Sequence, residues 1–452
     1  MDKPPRTATQ PSLHLPSTRD YRKLVLIAAR ISERPPLGYI HSPKVATKTI
    51  STPMHELTIK TTSHDFGAVR AAMQGYVDRE LLSGVSWAVL QGRDLIDVNC
   101  VGWANREAKT TLTTDHLFRA FSNTKLVTSC AVLLLLEAGK LELNDPIERY
   151  IPQLANRRVL KAGATTLADI EPANTSITVR HLLSHSAGLS YGLFDPGTLI
   201  FTAYNERKVF GPTLTLAEMV DALADLPLLF QPGTSFEYSI ATDVLARLIE
   251  VVSGERFDAF IKSHIFDRLG MIDTTFVVPL DQQHRLAAYY RGADLIDPMK
   301  PGLTRVDNSP YAGAYLRAVP KLSGGGGLVM SLADMVALMR GLLPGGETLL
   351  KPETIAQMMT NQLADDVSVR FATQGDLPGK GFGLGGSVTQ VPSSIEPQSA
   401  TGEFQWGGLA GTHWWISPRH NLAAVVMTQR VMAFWHPFSF EFKRLVYQAV
   451  DA

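Results

Sequence analysis

The chain has 452 residues, 45 % of them hydrophobic, with 43 basic and 43 acidic side chains. Balanced charge gives no field to recruit nucleic acid or an anionic lipid surface. The length suits one large domain or two interleaved ones. The only cysteines, Cys100 and Cys130, are too few for a disulfide framework and are expected as reduced core thiols. There is no run of 18 apolar residues, so no membrane partner is expected.

Residues 1–53 are rich in Pro, Thr, Ser and basic side chains, with one apolar island at 24–29. The island is short for a signal segment and no small-residue cleavage site follows. A disordered leader and a cytoplasmic location are expected, with Met54 opening the folded part. Residues 66–82 place Val69, Met73, Tyr76, Val77 and Leu81 at helical spacing. Residues 85–91 and 95–102 alternate around Gly92-Arg93, as an antiparallel hairpin does. Residues 126–138, LVTSCAVLLLLEA, form an apolar helix closed by Gly139; a helix apolar all round belongs inside a sizeable domain.

Residues 140–310 read as mainly helical and loop-like. Within them the loop 231–240 feeds an amphipathic helix carrying Val244, Leu245, Leu248, Ile249 and Val252, which ends at Ser253-Gly254. Ser331-Leu332-Ala333-Asp334 resembles a capping box before a helix over 335–343. A second hairpin is expected from 413–416 and 422–428, and a closing helix over 437–452. The expected fold is α+β, an α/β sandwich whose antiparallel sheet is built from both chain ends and flanked by helices. Its sheet region is assigned to 54–125 plus 311–452 and its mainly helical region to 126–310, with the active site between them.

Three segments carry chemistry. Ser122-Asn123-Thr124-Lys125 places an amine one helical turn from a hydroxyl at a helix start, where the helix N-terminus favours developing negative charge. That arrangement makes serine a nucleophile without histidine and points to acyl transfer. A single S-x-x-K also arises by chance, so its partners decide. Tyr238, on the loop before the amphipathic helix, could take the serine proton beside a lysine ammonium, or simply pack its ring in the core. Trp406-Gly407-Gly408 opens the C-terminal hairpin. Glycines inside a strand imply a close approach to the backbone, by a substrate carbonyl or through a β-bulge.

Competing signals are poor. No Gly-x-Ser-x-Gly elbow is present. His181 and His185 stand i, i+4 on an expected helix, but a zincin glutamate and a third ligand are missing, so they are read as structural and no metal is expected. Gly324 to Gly327 lack a P-loop lysine and are read as a close backbone approach near the site.

In this order and spacing, the boxes resemble the serine β-lactamase and penicillin-binding-protein superfamily, and most closely its esterase branch, the family VIII carboxylesterases. The resemblance spans roughly 60–450. It includes Thr178-Val179-Arg180-His181-Leu182-Leu183-Ser184-His185-Ser186-Ala187-Gly188-Leu189 and the glycine run. It implies Ser122 as nucleophile, Lys125 and Tyr238 as a coupled base, and the amides of Ser122 and Leu409 as oxyanion hole. Trp406, Gly407 and Gly408 would bind substrate, and no cofactor would be needed. Two departures matter: Ile240 replaces the asparagine two positions after the tyrosine, and Trp406 replaces the lysine that holds the antibiotic carboxylate. Both favour a small-molecule ester, with a short- to medium-chain acyl group, over an anionic β-lactam. A β-lactamase or D-amino-acid-peptidase-like hydrolase, an acyltransferase and a non-catalytic binding module on the same scaffold are the alternatives. Segments 190–230 and 280–320 are expected to line the pocket.

Overall fold

The computed structural model describes residues 57–371 and 374–451, so the leader expected over 1–53 lies outside them. Its centre is an eight-stranded antiparallel sheet. Three strands come from the N-terminal part: β1 (Gly84–Gln91), β2 (Asp94–Asn105) and β3 (Thr110–Thr111). Five come from the C-terminal part: β4 (Lys380–Phe382), β5 (Ser387–Thr389), β6 (Phe404–Gly408), β7 (Thr412–Ser417) and β8 (Leu422–Met427). The strand order is β4-β5-β6-β7-β8-β1-β2-β3. The chain ends therefore meet where β1 pairs with β8, from Ser86 opposite Met427 to Gln91 opposite Leu422. This is the α+β sheet expected from the two hairpins, and both hairpins lie within a few residues of their expected bounds.

Both faces of the central strands are buried. Val85, Trp87 and Val89 of β1 pack with Leu422, Ala424 and Val426 of β8 against α1 (Gly67–Asp78) and α5 (Pro437–Asp451). The alternate residues Ala88, Leu90, Ala423, Val425 and Met427 face α2 (Thr124–Glu137) and α4 (Leu332–Arg340). A period of two on a strand covered on both sides gives a continuous apolar run, which is what LAAVVM in β8 is. The helix α1 stops at Asp78 rather than continuing to 82, because Glu80 takes a positive φ of 54°.

The helix α2 is buried along nearly its whole length, polar residues included, so those residues need partners. The glycine run supplies them: Thr128 Oγ1 donates to the Gly324 carbonyl at 2.8 Å, and Thr124 Oγ1 accepts from the Leu328 amide at 3.1 Å. The capping box expected at Ser331 is only half formed. Its hydroxyl caps the Asp334 amide, but the Asp334 carboxylate accepts from the Asp273 amide and the Thr274 hydroxyl instead. Between α2 and α4 the chain is mainly short helices and loops around α3 (Ala241–Ser253), closed by Gly254 at φ 76°. Two small hairpins, Arg158–Leu160 with Ile170–Pro172 and Tyr290–Gly292 with Leu303–Arg305, interrupt this region. Among the described residues no helix is long and apolar enough to cross a membrane.

Candidate active site

Ser122 lies on a one-turn 3-10 segment, Phe121–Asn123, that leads into α2. It thus precedes the α-helix instead of belonging to its first turn. The segment is tied down by the Ala120 amide, which donates to the Leu328 carbonyl at 3.0 Å. Phe121 adopts a positive φ of 45°, a strained conformation for an aromatic residue. Its ring is wedged against Tyr289 and Tyr315, at centroid distances of 5.7 and 6.0 Å. This strained turn projects the Ser122 side chain into a cleft.

Two partners expected from the sequence converge on that hydroxyl. Tyr238 Oη is 2.6 Å from Ser122 Oγ, and Lys125 Nζ is 3.5 Å from it. The Lys125 ammonium also donates to the Gly325 carbonyl at 2.8 Å and to Tyr191 Oη at 3.1 Å. It lies 4.7 Å from the Tyr238 ring centroid and 5.2 Å from that of Tyr191. No acidic side chain lies within ion-pair distance of it among the described residues. The nearby acid, Asp243 of α3, accepts from Ser323 Oγ at 2.7 Å. A side chain at Gly325 would displace site groups, since its methyl carbon would sit 2.7 Å from Asp243 Oδ2 and 3.2 Å from Lys125 Nζ.

Tyr191, Asp243 and the Gly325 carbonyl are site components that sequence reasoning did not single out. Burial, then the neighbouring Tyr238 and Asp243, pushes the Tyr191 phenol well above its ordinary pKa, so it stays protonated. His185 does not share a helix with His181, because that helix, Val179–Leu183, ends before it and His185 takes a positive φ of 55°. Instead His185 Nδ1 accepts from the Ser239 amide at 3.2 Å, and its ring packs 5.1 Å from that of Tyr238. Burial, and secondarily the Lys125 charge, holds the imidazole well below its usual pKa. It is a neutral prop for the tyrosine loop. His181 is structural as well: its amide donates to Thr178 Oγ1 and its Nδ1 accepts from the Thr178 amide. Among the described residues no cluster of three metal-ligating side chains occurs.

The cleft is large, about 1750 Å³, against roughly 300–1,000 Å³ for ordinary small-molecule sites. Ser122, Tyr191, Tyr238 and Leu409 line it, as do parts of 191–213 and 272–327, close to the segments expected. Trp406, Gly407 and Gly408, expected on the substrate, are not among the residues that line it. The Trp406 indole is buried behind Tyr238, with ring centroids 5.2 Å apart and Nε1 3.4 Å from Tyr238 Oη. The close approach at Gly408 comes from the protein itself, since a side chain there would collide with the Ala120 carbonyl of the nucleophile turn. No bulge is involved, as β6 and β7 pair in unbroken register from Phe404–Ile416 to Gly408–Thr412. The end of β6 is thereby pressed against the turn that carries Ser122.

Sheet, helices and a serine met by a lysine and a tyrosine in one cleft define an active-site-serine protein with a β-lactamase-like fold. A family model described as Beta-lactamase matches residues 69–434, and the chain belongs to that family. It is 34 % identical to Protein Rv1367c of Mycobacterium tuberculosis over 370 residues, covering 80 % of this chain and 89 % of that one. It is 29 % identical to Esterase EstB of Burkholderia gladioli over 364 residues, covering 78 % and 88 %. Among solved structures, EstCE1, described as a hydrolase with promiscuous acyltransferase activity, superposes with a TM-score of 0.71 at 27 % identity, covering 84 % of this chain and 98 % of that one.

Proposed function

We propose that the chain is a serine carboxylesterase that works through an acyl-enzyme on Ser122. The observation that carries this reading is the convergence of Tyr238 Oη and Lys125 Nζ on Ser122 Oγ at a cleft wall. In acylation, Ser122 Oγ bonds to the ester carbonyl carbon while its proton passes to Tyr238 Oη, which acts as base in its deprotonated form beside the Lys125 ammonium. The carbonyl C–O bond to the alcohol then breaks, and Tyr238 returns the proton to the leaving oxygen. Water, activated by the same pair, cleaves the acyl-enzyme and restores the serine. The Ser122 and Leu409 amides serve as the oxyanion hole, supported by the packing of Gly408 on the nucleophile turn. Each such donor is worth about 3 kcal/mol in the transition state.

Tyr191 and the Gly325 carbonyl orient the ammonium between them. Trp406 supports the Tyr238 ring from behind, and it puts a buried indole where a lysine would hold an antibiotic carboxylate. That favours esters with a short- to medium-chain acyl group over penicillins. The large cleft also favours a second reading, acyl transfer, because it has room for an acceptor alcohol beside the acyl group; the similarity to EstCE1 supports it. A series of 4-nitrophenyl esters beside a chromogenic cephalosporin, each with and without added alcohols, tests both. Ester turnover that Ser122→Ala abolishes is expected. Turnover surviving in that variant, or confined to the cephalosporin, overturns the esterase reading, and alkyl-ester product measures the transferase share.

A further inference from the structure

Lys321 stands just before the glycine run and is 6 % exposed, yet it lines the cleft. Its ammonium has three protons to donate. One goes to the Val209 carbonyl at 2.9 Å, and the charge lies 5.9 Å from the Phe210 ring centroid. None of the ion pairs among the described residues involves it. A buried ammonium without a carboxylate is costly unless something supplies the missing charge. Burial pulls the pKa of this ammonium down and the charge of Asp243 opposes that only in part, since Asp243 lies beyond ion-pair distance and accepts from Ser323. The path from Lys321 to the reacting atoms is continuous: Phe210 packs on Tyr191 at 5.4 Å, and Tyr191 accepts from Lys125.

We propose that Lys321 is a specificity residue that binds a carboxylate on the substrate, remote from the ester being cleaved. This rests on the esterase reading and names its substrate class: apolar esters that carry a distal acid. Elsewhere the cleft has apolar walls that include Phe194, Phe201, Phe276 and Val319, and its other cations, Lys208, Arg256, Lys262 and Arg291, are more exposed than Lys321. An apolar chain would fill that space and bring its acid end to the one deeply buried ammonium beyond Tyr191. With Trp406 in place of a lysine near Tyr238, no cation of β6 competes with Lys321 for that carboxylate.

The test uses monoesters of dicarboxylic acids and esters of hydroxy acids, of graded length, each beside its methyl-capped uncharged analogue. For the purified full chain, kcat/KM for the best acid-bearing ester is expected to exceed that of its uncharged analogue by about tenfold. In Lys321→Met the ratio should fall to about one, while Lys321→Arg should retain part of it. A wild-type ratio near one, or a ratio that Lys321→Met leaves unchanged, overturns the proposal. Calorimetric binding of the same monoesters to Ser122→Ala, which needs no turnover and no substitution at Lys321, must show the same preference. Absence of all ester turnover would count against the esterase reading, whereas equal binding of charged and capped esters would count against Lys321 alone.

Discussion

On the α5 face of the sheet, Lys443 is buried against Glu403 at 2.6 Å, and Lys380 against Glu396 at 2.6 Å. In the cleft on the other side, Lys125 and Lys321 are as deeply buried but are met by carbonyl and phenol oxygens. The first pair of lysines is neutralised by carboxylates of the fold. The second pair has no carboxylate partner among the described residues, and Lys125 spends one of its protons on the serine. Charge that the protein itself neutralises is structural, and charge held by dipoles alone is available for chemistry.

The sharpest way to break this contrast is at the nucleophile. Ser122→Ala should lower kcat for ester hydrolysis by about 10⁴-fold or more with an unchanged melting curve; Tyr238→Phe and Lys125→Ala should each cost about 10²–10⁴-fold. Melting temperatures that fall along with the rates would make these residues structural like Lys443. Next comes Glu403→Gln, which leaves Lys443 buried without its acid. Chemical denaturation should show a loss of about 3–5 kcal/mol, with activity per folded molecule retained.

A comparable effect is expected with pH. Burial alone would push the Glu396 carboxyl up, but Lys380 and then Lys443 outweigh it and hold it at about 2. A carboxyl depressed in the folded state stabilises above its unfolded pKa, near 4.5, and loses that stabilisation as pH falls from there towards 2. The contribution is up to about 3 kcal/mol, and stability curves for Glu396→Gln should be flatter over that range. The smallest effect is expected for Tyr191→Phe. Losing one hydrogen bond to Lys125 should lower kcat about tenfold, equivalent to about 1.4 kcal/mol, and shift the pH–rate profile. A profile that does not move would separate Tyr191 from the base.

The correspondence between sequence and site follows what each residue type can signal. Ser122, Lys125 and Tyr238 stood out because a hydroxyl, an amine and a phenol on helix-leading loops have few joint uses. Tyr191 lies two residues beyond the Thr178-to-Leu189 signature, yet a tyrosine beside a loop is indistinguishable from a packed ring until its hydroxyl finds Lys125. The Gly325 carbonyl has no residue-type signature at all, although the glycine run marked a close approach. Trp406 was legible as a bulky ring in place of a lysine, but which side of Tyr238 it occupies depends on the packing of Phe371, Phe382 and Phe434 around it.

By itself the amino-acid order determined the antiparallel hairpins, the buried α2 and the identity of the three converging groups, because periodicity and local spacing act over a few residues. Tertiary structure alone decided that β1 is the strand that pairs with β8 where the chain ends meet, that Phe121 is strained to aim Ser122, and which buried lysines are neutralised. Those outcomes depend on contacts between segments up to several hundred residues apart, and a pairing at that separation leaves no trace in the spacing of either segment.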